Sequence, residues 1–76
     1  MEVIKTQKIV NTGIVVSIIK DDQPIYGGFY SVIATNYGYE VAKKDGLCLD
    51  AANECFVHSC NFAILNTYHN EVNFKN

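Results

Sequence analysis

Residues 47–60, LCLDAANECFVHSC, gather the groups that could do chemistry: Cys48, Cys55, Cys60 and His58 within fourteen positions. Two chemistries use such residues, a metal centre and a thiol nucleophile with a base. Zinc takes about four ligands at one point, commonly thiolates and imidazoles in paired short spacings. Cys55 and His58 are three apart and would be neighbours on a helix. Cys60 would lie about 140° from Cys55 around that helix at 100° per residue, and Cys48 two turns away. No CxxC or HxxxH pair elsewhere in the chain completes a set. The expectation is no metal and no cofactor.

A catalytic thiol needs a depressed pKa, partial exposure and an oxyanion hole. With Cys55 as nucleophile, His58 as base and Glu54 as orienter, the thiol would sit mid-helix on the apolar side, without a cationic neighbour. Such a cysteine acts as a small hydrophobe. Cys48, Cys55 and Cys60 are therefore expected to pack against a sheet, with His58 facing water and no catalytic residue. A disulfide between Cys48 and Cys55 would span roughly 10 Å at 1.5 Å per residue, beyond bridging range.

The element that positions these groups is read from a change of period. From Leu47 onward, Cys48, Leu49, Ala52, Cys55, Phe56, Cys60, Phe62 and Ala63 share one side at 100° per residue, and Asp50, Asn53, Glu54, His58 and Asn61 share the other. This predicts an amphipathic helix over about 49–66, with Cys48 near its N-cap, NTYHN breaking the pattern and EVNFKN a short last strand or a frayed tail. Before it the chain reads as strands within about 3–44. EVIKTQKIV alternates weakly, as an edge strand does, and IVVSIIK (14–20) is rich in β-branched residues. The polar run Asp21-Asp22-Gln23-Pro24 reads as a turn. PIYGGFYSVIAT follows, with Gly27-Gly28 as a bulge in mid-strand. Asn36-Tyr37-Gly38 reads as a second turn, and YEVAKK (39–44) as the last strand. Strands followed by one helix predict a small α+β two-layer domain spanning 1–76, an antiparallel sheet of three to four strands packed against one C-terminal helix.

Composition narrows the partners. All six basic residues are lysines, and the net charge is −2. Arginine is the preferred residue for bidentate contacts to phosphate and guanine, so its absence weighs against nucleic-acid recognition. Lysine without arginine, with abundant asparagine and isoleucine, fits AT-rich coding of the kind found in phages and low-GC bacteria. No stretch approaches the roughly 20 apolar residues of a membrane span. The first residues lack an apolar h-region, so reduced thiols in the cytoplasm are expected. At 76 residues a domain buries only about 60% of the surface its unfolded chain exposes, and self-association would help it.

Five aromatics, Tyr26, Phe29, Tyr30, Tyr37 and Tyr39, fall within fourteen residues. Alternation places Ile25, Phe29 and Ile33 on the covered side of the sheet and Tyr26, Tyr30 and Val32 on the open one. A stacking platform for single-stranded nucleic acid would use such aromatics together with a basic groove, which this chain lacks. Tyrosine is also enriched at the centre of protein interfaces. The expectation is a non-catalytic interaction protein, an inhibitor or adaptor of phage or mobile-element type that forms a homo-oligomer. It would contact another protein through Tyr26, Tyr30, Tyr37, Tyr39 and the acidic Asp21 and Asp22. A single-stranded nucleic-acid binder and a Cys/His metal or thiol protein stand as alternatives.

Overall fold

A computed structural model describes the backbone of residues 1–75 and the side chains of residues 1–64. Four strands, β1 (Glu2–Lys8), β2 (Ile14–Ile25), β3 (Gly28–Asn36) and β4 (Tyr39–Leu47), precede one helix, α1 (Leu49–Lys75). Each strand pairs antiparallel with its sequence neighbour, giving a sheet in the order β1-β2-β3-β4. The chain is thus a small α+β domain: one antiparallel sheet, one C-terminal helix across a face of it.

The helix lies over β2 and β3 and touches β4 less. Its buried stripe, Ala52, Phe56, Cys60 and Ala63, has the spacing of a single helical face and meets Val16, Ile18, Val32 and Ile9. Ile18 is fully enclosed, and burying a side chain of that kind contributes about 1.5–3 kcal/mol. Small residues at 52 and 63 let the helix approach the sheet, and Phe56 fills the centre. Lys5 reaches from β1 with its ammonium 5.0 Å from the Phe56 ring centroid, closing the edge of the core with a cation–π contact. The helix continues to Lys75, well beyond the residue 66 at which its apolar pattern fades. The short strand or frayed tail anticipated for EVNFKN is helix as far as Lys75, and Asn76 lies outside the described residues.

Three expectations are corrected. The first turn is not Asp21-Asp22-Gln23-Pro24. β2 runs on through these residues to Ile25, which pairs with Gly28, so the reversal is Tyr26-Gly27 alone. Between the pairs Lys20–Tyr30 and Ile25–Gly28, β2 has three more residues than β3, and the polar run takes up that excess as an irregularity in the strand. Pro24, which has no N–H to give a ladder, sits where the pairing lapses. Moving the turn reassigns the faces. Tyr30 and Val32 pack under the helix, while Phe29, Ser31 and Ile33 are on the open side. Third, Cys48 and Phe62 are exposed rather than packed on the sheet.

The β2–β3 and β3–β4 turns use the same dipeptide. Tyr26-Gly27 has φ 50° and 85°, Tyr37-Gly38 has φ 51° and 86°. Positive φ at both central residues is the mark of the type I′ hairpin turn, whose twist matches that of the strands it joins. Glycine meets this demand without cost, whereas a tyrosine in the left-handed region costs about 1–2 kcal/mol.

Candidate functional site

The two Tyr-Gly turns cap opposite ends of β3, so the six residues expected to form one contact surface separate into two groups. Tyr37 and Tyr39 stand at the end shared with the β1–β2 connection, 80% and 79% exposed. The Tyr37 ring lies flat against Gly13, where a β-carbon would come within 2.6 Å of it, and the Tyr37 N–H donates to the Gly13 carbonyl at 2.8 Å. This pins the two connections together. Tyr26, Tyr30, Asp21 and Asp22 are at the other end, with the start of the helix.

That second end is built around a close crossing of backbones. A β-carbon on Gly28 would lie 2.3 Å from the carbonyl carbon of Gly46, and one on Gly46 would lie 2.6 Å from the Ile25 carbonyl oxygen. The β2–β3 tip thereby curls onto the end of β4. β4 carries one extra residue opposite Ser31, with Gly46 at φ 73°, a bulge that turns the strand toward the helix. The crossing leaves an open cleft of about 410 Å³ lined by Tyr26, Gly27, Gly28, Phe29, Tyr30, Gly46, Cys48 and Leu49. Tyr26 is 97% exposed on its rim, and Tyr30 forms the floor by packing on the core.

The bulge also aims Asp45 at the neighbouring strand. Ser31, with no exposed surface, places its hydroxyl 2.7 Å from an oxygen of Asp21 and 2.8 Å from one of Asp45. One hydroxyl has one hydrogen, so it donates to either carboxylate at a time. Lys43 lies 3.5 Å from Asp45 and supplies positive charge at the same place. The arrangement ties β2, β3 and β4 together on the open face, and it explains why Asp21 is half-buried rather than part of a solvated turn. Asp22 is exposed and pairs with the α-ammonium of Met1. Ser31→Ala removes the one donor that two half-buried carboxylates share and is expected to cost about 1–3 kcal/mol, read as a lower urea midpoint at unchanged m-value.

Among the sulfurs, Cys48 is the N-cap of α1 and accepts the Ala51 N–H at 3.4 Å, exposed on the cleft wall. Cys55 is half-buried. Cys60 is buried, and that burial pushes its thiol pKa up, opposed in part by the charge of Lys5. Native protein is therefore expected to alkylate in graded order, Cys48 first and Cys60 at least roughly tenfold slower, with Cys48→Ser deleting the fast phase. Peptide mapping of partly labelled protein checks this. His58 faces solvent on the outer side of the helix. Among the described residues no three His, Cys, Asp or Glu side chains are grouped to hold a metal ion, and no helix is long and apolar enough to cross a membrane.

Sequence reasoning missed Phe29, Ser31, Asp45, Cys48 and Leu49 as members of this end. The recurrence of Tyr-Gly at 26–27 and 37–38 was the available signal, since a shared dipeptide predicts a shared turn. Comparison adds no relative. No known protein family, curated protein or solved structure matches the chain.

Proposed function

We propose that this protein is a small non-catalytic interaction module that binds another protein through the Tyr26 end, with self-association as part of its working state. The observation that carries this reading is Tyr26 itself. A bulky aromatic is held in a left-handed backbone conformation, 97% exposed, at the rim of a cleft with Phe29, Tyr30 and Leu49. Within the isolated fold that residue contributes strain and buries nothing, so its worth lies in a contact with something else. A tyrosine presented at a hairpin tip supplies large contact area at small entropic cost, as interface anchors do.

An inhibitor or adaptor of phage or mobile-element type, acting in the cytoplasm, is the form of this function that fits the chain's size and its lysine-only basic set. The test is affinity capture from an AT-rich bacterial host with wild-type protein and with Tyr26→Asn. Recovery of one partner by the wild type and its loss with the variant is the expected result. Equal recovery by both removes the Tyr26 end from the function.

A further inference from the structure

The face of the sheet opposite the helix is not the polar surface that a one-sided antiparallel sheet presents. β2 is apolar on both sides: Ile14, Val16 and Ile18 point to the helix, and Val15 and Ile19 point away. Cross-strand pairing lays out the open face in rows. One row is Lys8, Val15, Thr35 and Glu40; the next is Thr6, Ser17, Ile33 and Lys43; a third runs from Val3 through Ile19 to Ser31, where Asp45 joins it. Along these rows apolar and small residues fill the two middle strands and the charges stand on the outer two; the charge that β2 adds to this face, Asp21, lies past the third row, where it accepts from Ser31.

We infer that this face pairs with the same face of a second copy, forming a two-sheet sandwich with the helices outside. The inference rests on the self-association part of the functional reading and adds the surface and its symmetry. Charge decides both. A two-fold axis parallel to the strands, between β2 and β3, sets β1 of one copy over β4 of the other at the same level, so Lys8 meets Glu40 of the second copy twice. An axis across the strands would instead set Glu40 over Asp45 and Lys43 over its own equivalent, like charge on like charge. The edges offer no better route. β1 has a register shift at Ile4 with Lys5 and Lys8 beside it, and β4 has two shifts with Lys43 and Lys44, the devices that deter strand addition. Four strands about 4.8 Å apart give each copy a face of roughly 400 Å², about half of what each partner buries in a stable specific pair, so the dimer is weak and dissociates on dilution.

Sedimentation velocity over a concentration series, on the full chain, tests this. Wild-type protein is expected to pass from monomer to dimer as concentration rises. Lys8→Glu and Glu40→Lys, both at exposed positions, each weaken the dimer roughly tenfold by placing like charges opposite each other twice. The double exchange Lys8→Glu with Glu40→Lys restores it. A monomer at every concentration overturns the inference and the self-association reading together, leaving the face to solvent or to a different protein. A dimer indifferent to both single exchanges overturns the face and the axis while self-association stands. Tyr26→Asn, at the tip and off this face, leaves the dimer unchanged, which separates this result from the capture experiment.

Discussion

Gly28→Ala is expected to be the most destabilising single methyl addition at this end of the sheet, taking at least about a third of the domain's stability. The added methyl would sit 2.3 Å from the Gly46 carbonyl carbon and 2.6 Å from the Leu47 nitrogen, and both are backbone atoms that cannot rotate aside. Relief requires β3 and β4 to separate where the bulge, the Ser31 hydrogen bonds and the start of the helix all converge. A clash of this kind costs about 4 kcal/mol or more. A domain of 76 residues has a total stability of about 4–11 kcal/mol, so the loss takes at least about a third of it. The neighbouring Gly27→Ala is the control. Nothing lies within 4 Å of its β-carbon, and only the φ of 85° opposes it. That substitution costs about 1–2 kcal/mol and leaves a folded protein. Circular dichroism with urea titration separates the two, and a Gly28→Ala variant as stable as Gly27→Ala would dismiss the crossing as the constraint.

Tyr26→Asn is expected to move stability and binding in opposite directions. Asparagine followed by glycine is the preferred type I′ pair, so the exchange relieves strain at a side chain with no packing to lose, a gain of about 0.5–1 kcal/mol. Partner capture should fall by at least roughly tenfold, the loss typical of an aromatic anchor. Tyr37→Asn is the informative comparison, because its ring covers Gly13 and its strain is partly compensated. There the relief of the turn and the loss of the cover oppose each other, and stability should change little. A destabilised Tyr26→Asn protein would mean that the tyrosine serves the fold, and its assignment to a partner would fall.

The helix was legible because Ala52, Phe56 and Cys60 recur at a helical period and nothing between them interrupts it. The last turn was legible too, since Asn36-Tyr37-Gly38 sits between clear strands. The β2–β3 hairpin was not. Asp21-Asp22-Gln23-Pro24 has the composition of a turn, and local composition cannot reveal that tight pairing resumes at Ile25. Once the turn moved, alternation carried Tyr30 and Val32 from the open face to the core, as a shift of register does. The Ser31 network was out of reach for a different reason. Asp21, Ser31 and Asp45 are brought together by an irregularity in one strand and a bulge in another, and neither can be read from spacing. Cys48 shows the limit of periodic reasoning at a helix terminus, where position in the cap overrides position on the wheel.

The sequential order of the strands has a consequence for how the chain is made. Every hairpin can close as soon as its second strand leaves the ribosome, so the β-meander forms from short-range loops and should do so quickly. The lid for its greasy side is synthesised afterwards, and Ile9 waits for Cys60 and Ala63. During that interval Val16, Ile18 and Val32 lack cover, and slow translation through 49–63 would prolong the time in which a nascent chain can aggregate.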